Sequence, residues 1–367
     1  MKKLTITLLA ALALGFSAGA QDYIDEEQQQ DTINVAVLIP FKADTAPNNQ
    51  AFDFYSGALE AVKEKASDGI PVRINVFDSA AGKEFSTEEL KSYDFMIGPF
   101  AANDIREIAL QMPWRKYVIS PLDPACNVFA DSLRVIQTPV SASWQYNQLA
   151  SWAIEESRDG DAFLIVHEPG MCTDMVESFS EKLTDEGISS KVVKCTTDEE
   201  IATVIQGFCK KGVTTRLFLA SEKDTFLTRL LEEVANVSGD RNIITYAPAK
   251  VRGLKNIEAE ILGKTALRIV SGYYVDEKDS KVQAFTNRYV DSYKSKPSSF
   301  AYQGYDIMNF FLQIRKDYGK SWARHIEDYN ISGLQTDFMF IDYTFGFVNA
   351  ATRRIKYNSE GKPVRAN

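Results

Sequence analysis

The sequence predicts an α/β protein of about two domains, built on mainly parallel sheets. Three observations carry that reading. Short runs of β-branched and aromatic residues recur along the chain. Stretches of about 10 to 18 residues with helical apolar spacing lie between many of them, the pattern of strand–helix–strand units. The 347 residues left after an N-terminal export segment match roughly two domains of usual size.

The elements follow in order. INVAVLI (33–39) is a strand, and the stretch after it places Phe54, Tyr55, Ala58, Leu59 and Val62 on one helical side. VRINVFD, YDFMIG and KYVIS read as the next strands. A helix bearing Trp144, Leu149, Trp152 and Ala153 then precedes the strands AFLIVHE, KVVKC and TRLFLA. A third helix carries Phe226, Leu230, Leu231 and Val234, followed by the strands NIITYA and ALRIVSGYYV. No low-complexity tract and no fixed-period repeat interrupts the alternation.

Residues 1–20 have a Lys-Lys start, an apolar run and a small-residue end, the pattern of a secretory signal peptide cleaved after Ala20. The apolar run is shorter than the roughly 20 residues a membrane span needs. The expected destination is the periplasm. Residues 21–32, QDYIDEEQQQDT, are acidic and lack an apolar face, and read as a disordered tether. No second apolar run is long enough to span a bilayer, so the mature chain is expected to have no transmembrane segment. Losing Lys2 and Lys3 takes the net charge from -9 to -11. An acidic surface without a basic cluster argues against nucleic acid or anionic membrane as a partner.

Cys126, Cys172, Cys195 and Cys209 allow three full disulfide pairings, and no spacing selects one. They read as buried or paired structural cysteines. With His167 and His325 the only histidines and no CxxC pair, no metal site is expected. No nucleophile elbow, zinc-protease helix or phosphate loop is present. His167, at a strand end beside Glu168, reads as bonded to backbone. The sequence therefore predicts a non-enzymatic protein with no cofactor.

Ligands of open α/β sheets sit beyond the carboxyl ends of the strands, where strand order reverses. The loops there are FKADTAPNNQ, PFAAND, PLDPAC, EPGMCTD, ASEKD and APAK. Small residues or proline mark several strand-to-helix junctions, as at Ser120 with Pro121 and Ala247 with Pro248. The candidate apolar walls are Phe41, Phe100, Leu122, Met171, Tyr274 and Tyr302. Taken singly, such residue types serve core packing more often than ligand contact, and it is their repeated place after strands that singles them out. Ser221 belongs to the ASEKD loop.

The order of these segments resembles the type I periplasmic binding proteins, the leucine/isoleucine/valine-binding branch in particular. The resemblance rests on VAVLIPF leading to FYSGALEAV, on Arg73–Asp78, on the turn Ile97–Pro99 and on VISP at Val118–Pro121. AFLIVHEPG and AYQGYDIMNFF (Ala301–Phe311) continue it over about 330 residues. It implies two Rossmann-like lobes joined by a three-strand hinge and closing on a ligand. The expected lobes are 33–138 with 273–333 and 139–272 with 334–365. The expected crossings lie near Gln137–Val140, Ser271–Tyr274 and Gly333–Asp342.

In amino-acid binders of this family, Ser, Thr and backbone N–H groups of two first-lobe loops hold the ligand carboxylate. Here Ala101 and Ala102 stand where Ser is expected, and Leu122 and Pro124 where small residues and Thr are expected. Asp123 brings a negative charge, and YAPAK lacks an evident acid for the ammonium. The amino-acid clamp is absent by this reading. Lys42 and Asp123 are candidate polar contacts, with solvated loop charges as the alternative.

Two functions follow. The first is a solute-binding protein for a small molecule of unknown class, either feeding an inner-membrane transporter or sensing the molecule. The alternative is an envelope scaffold, for example in cell-wall assembly, with a degenerate ligand site.

Overall fold

The structure, a computed structural model, describes residues 32–42, 47–170 and 173–366. The signal peptide, nearly all of the tether, Met171 and Cys172 lie outside the described residues. The chain opens with β1 (Ile33–Ile39), α1 (Asn49–Ser67), β2 (Val72–Asp78), α2 (Thr87–Ser92), β3 (Phe95–Ile97) and α3 (Ala102–Ala109). It continues through β4 (Val118–Ser120), β5 (Val135–Gln137), α4 (Ala142–Glu155), β6 (Ala162–His167), α5 (Thr173–Asp185) and β7 (Ser190–Lys194). Next come α6 (Asp198–Phe208), β8 (Thr215–Ala220), α7 (Asp224–Val237), β9 (Ile243–Pro248), α8 (Ala259–Lys264) and β10 (Arg268–Ser271). Two helices follow, α9 (Ser280–Tyr293) and α10 (Ser299–Tyr318). The short strands β11 (Ile331–Ser332), β12 (Asp337–Phe338), β13 (Phe340–Asp342) and β14 (Phe347–Asn349) precede β15 (Arg353–Tyr357) and β16 (Pro363–Ala366).

Two compact units result. Unit 1 takes the chain through Pro139 and again from Glu277 to Ala351; unit 2 takes Val140–Asp276 and Thr352–Asn367. The chain passes between them three times. Residues 334–351, expected in the second lobe, belong to unit 1. The reason is strand pairing: β14 lies parallel to β5, β13 runs antiparallel to β14, and Asn349 Nδ2 donates to the Thr138 carbonyl at 2.9 Å.

Unit 1 holds a seven-stranded sheet in the order β2-β1-β3-β4-β5-β14-β13. It is parallel except at its β13 edge. Its strands are apolar on both faces, as burial between helix layers requires. Helix α10 is buried over most of its circumference and supplies much of the core. Phe310 packs on Phe338 and Phe340 at 4.8 and 5.3 Å. Its buried Asp306 carboxylate accepts the N–H groups of Leu334, Gln335 and Thr336, fixing the turn between β11 and β12.

Unit 2 repeats the plan in the order β7-β6-β8-β9-β10-β15-β16, with β15 antiparallel to both neighbours. One face of its sheet packs on α6, α7 and α8, with Phe226, Leu230, Leu231 and Val234 all buried. The other packs on α4 and α5, where Phe179, Phe218 and Tyr246 stack in series.

Candidate functional site

In each unit the strand order reverses once, between β1 and β3 and between β6 and β8. Strand-end loops diverge at such a point and leave a crevice at the carboxyl edge.

At the unit 1 edge, Phe41 follows β1 and is buried, its ring 5.0 Å from that of Phe52 and 5.7 Å from that of Tyr55. The Phe41 N–H donates to Asp78 Oδ1 at 3.1 Å. Lys42 is exposed and holds a left-handed backbone, φ 54°. After β3, Gly98 takes φ +89°, and a Cβ there would stand 2.0 Å from the Leu38 carbonyl oxygen, so glycine is required. Phe100 is half-buried and meets Phe54 edge-on at 5.4 Å.

Ala101 precedes α3 and offers no side-chain cap. Asp123 supplies one from the next loop: its Oδ2 accepts the Ala102 N–H at 2.8 Å, and its Oδ1 accepts that of Ala125 at 2.9 Å. Ser120 is fully buried and donates to the Asp123 carbonyl at 3.2 Å. Leu122 is half-buried beside it. Gln137 Oε1 accepts the Asn127 N–H at 2.6 Å, and Gln303 Nε2 donates to the Pro121 carbonyl. Burial pushes the Cys126 thiol up to about 11, against a hydrogen bond with Ser120 and with support from the Asp123 charge.

At the unit 2 edge, Glu168 follows β6 and is 3 % exposed. Its Oε1 accepts Ser221 Oγ at 2.6 Å, directly across the strand reversal, and its Oε2 accepts Lys223 Nζ at 3.0 Å. His167 Nδ1 lies 2.9 Å from the Glu168 carbonyl oxygen, the backbone contact the sequence predicted. After β9, Arg252 Nη1 donates to Ser271 Oγ at the end of β10 and to the Tyr273 carbonyl, with its guanidinium over the Tyr273 and Tyr274 rings.

Of the residues singled out by sequence, Ala102, Ser120 and Asp123 are brought into one hydrogen-bonded group, with Ala101 and Leu122 next to them in the chain. Phe41 and Phe100 line neighbouring loops of the same edge. Ser221 belongs to the Glu168 group. Ala247 and Tyr274 sit in the unit 2 core instead: Ala247 is fully buried, and Tyr274 donates to the Pro363 carbonyl at 3.2 Å. Ala247 lies in β9 and Tyr274 three residues past β10, and both side chains join the core packed on α6, α7 and α8. Tyr302 is likewise buried, sharing a hydrogen bond with Thr286.

Sequence reasoning passed over Asp78, Gln137, Glu168, Arg252 and Tyr273. An acid closing a strand run, as in VRINVFD and AFLIVHE, was the available signal for two of them. Among the described residues, no group of three or more His, Cys, Asp or Glu is placed to hold a metal ion. No helix there is long and apolar enough to cross a membrane.

The fold is that of the type I periplasmic binding proteins. A putative branched-chain amino acid ABC transporter protein from Rhodospirillum rubrum is similar with a TM-score of 0.65 and 14% identity, over 91% of this chain and 100% of that one. An ABC transporter substrate-binding protein from Desulfitobacterium hafniense, in complex with Leu, gives 0.56 and 16% over 92% and 100%. Full-length LpoA from Haemophilus influenzae gives 0.59 and 15%, over 92% of this chain and 60% of that one. No protein-family model and no curated protein sequence matches the chain.

Proposed function

We propose that the chain is a periplasmic solute-binding protein, exported by its N-terminal segment, that captures a small molecule between its two units by hinge closure and performs no chemistry. The observation that carries this reading is the reversal of strand order in both units, with built polar groups at each reversal. Structurally similar chains include ABC transporter substrate-binding proteins, which supports an inner-membrane transporter as partner. Phe41, Lys42, Phe100, Ala101, Leu122 and Asp123 would face the ligand from unit 1, and Ser221 with Glu168 and Lys223 from unit 2. Ser221 is fully buried and already donates to Glu168, which suits a positioning role better than a nucleophilic one.

The test is thermal unfolding of residues 21–367 against amino acids, short peptides, sugars and cell-wall fragments. A ligand at about 1,000 times its dissociation constant adds roughly 4 kcal/mol. For a unit of this size that is on the order of 8 to 16 °C. A shift with one class supports the receptor reading and names its substrate.

One observation favours a second reading, an envelope scaffold with a degenerate site. The backbone donors of Phe41, Ala102 and Asn127, at the unit 1 edge, are taken by side chains of the same unit. A flat panel from a folded protein would sink the receptor reading and leave the scaffold.

A further inference from the structure

We infer that the unit 1 strand edge rejects anionic ligand groups, and that Asp123 is the specificity-determining residue. The inference rests on the solute-binding reading and names what that site refuses.

A carboxylate or phosphate is recognised by donors, and backbone N–H groups at strand-to-helix junctions are the ready-made ones. Three such donors at this edge already have acceptors. The Phe41 N–H goes to Asp78 Oδ1, the Ala102 N–H to Asp123 Oδ2, and the Asn127 N–H to Gln137 Oε1. The three acceptors come from three different strand ends, so the pattern is not a single local turn. Asp78 and Asp123 hold second N–H groups as well, those of Ala80 and Ala125. Gln303, a further amide at the edge, turns its Nε2 to the Pro121 carbonyl.

The side chains agree with the backbone. Ala101 and Ala102 carry no side-chain donor, and the Ser120 hydroxyl is buried against the Asp123 carbonyl. An incoming anion therefore meets two carboxylates and must displace Asp123 to reach the start of α3. Lys42, the residue after Phe41, is exposed. Neutral groups and hydrogen-bond donors face no such competition: the Asp78 and Asp123 oxygens accept them.

The experiment measures binding of acid–amide pairs, acetate with acetamide and N-acetylleucine with its amide, by calorimetry on residues 21–367. Wild type is expected to bind no acid more tightly than its amide. Asp123→Ser frees the Ala102 N–H, and acid binding is expected to tighten at least tenfold. Asp123→Asn keeps an oxygen on that N–H and is expected to gain little, which separates occupancy from charge. Where Asp123→Ser fails to fold, Asp123→Gly takes its place. A wild type that prefers an acid tenfold over its amide overturns the inference, as does a folded Ser or Gly variant with no gain. A wild type that binds no solute at all counts against the receptor reading instead, and the gain in the variants is still read.

Discussion

A Cβ on Gly304 would stand 1.9 Å from the Phe54 carbonyl oxygen, and one on Gly57 would stand 1.8 Å from that of Ala301. Helices α1 and α10 thus touch backbone to backbone through a glycine on each. Alanine at either position gains roughly 1 kcal/mol of helix propensity. It also forces the helices apart, and overpacking of this kind costs about 1–3 kcal/mol, with backbone clashes at the upper end or beyond. The clash wins. Gly57→Ala and Gly304→Ala are each expected to lose about 2 kcal/mol net. In thermal unfolding that lowers the midpoint by about 4–8 °C. An unchanged midpoint would mean the two helices shift without cost.

Acid sensitivity is expected to reside in unit 2. Arg268, Arg354 and Lys356 surround the buried Trp152 ring, and Glu155 and Glu156 neutralise them. Burial raises the Glu156 pKa, but the hydrogen bond from Lys356 and the Arg268 charge outweigh it and hold the carboxyl below its ordinary 4.5. Glu155 is lowered chiefly by its hydrogen bond with Arg354. A depressed acid contributes stability above its unfolded pKa and loses it as pH falls through the folded value. Urea midpoints should therefore drop below about pH 4.5, the ordinary glutamate value. Glu156→Gln should flatten that acid limb while lowering the midpoint at pH 7. A variant with an equally steep acid limb would place the effect elsewhere.

The thiols offer an independent check on packing. Cys126, Cys195 and Cys209 are free and buried, and burial raises all three pKa values. Reactivity follows thiolate fraction and access, both of which are low here. Iodoacetamide at pH 8, followed by peptide mass mapping, should leave these three unmodified in the native protein and label them in urea. Native labelling of Cys195 or Cys209 would contradict the unit 2 core.

The strength of local pattern decided how much was legible. INVAVLI and TRLFLA form strands over the same residues that were read, because a buried parallel strand is a near-continuous apolar run. VRINVFD matches too, as a half-buried edge strand in which Val72, Ile74 and Val76 alternate with polar residues. Strands β11–β14 escaped because each has two or three residues and pairs through turns with no helix between. That gap displaced the third crossing between the units. At the candidate site, Asp123 was visible as a charge in a loop, but its bond to Ala102 spans 21 residues and arises only in the fold. Glu168 entered the sequence reading only as the neighbour of His167. Its burial is decided by Ser221 and Lys223, 53 and 55 residues further on.

Glu168 is also where ion pairing and exposure separate. The Glu168 side chain is 4 % exposed and that of Lys223 62 %, so the pair joins a buried acid to a solvated arm. Removing one partner of a fully buried pair costs about 3–5 kcal/mol. Water reaches Lys223, and exposed pairs are worth about 0–1 kcal/mol. Lys223→Ala should therefore fall between, at about 1–2 kcal/mol at pH 7. The double variant Glu168→Gln, Lys223→Ala is the sharper readout: it leaves no buried charge without its partner and is expected to be more stable than Lys223→Ala alone in urea unfolding. A double variant no more stable than the single one would mean that Ser221 alone holds the carboxylate and that Lys223 is a surface charge.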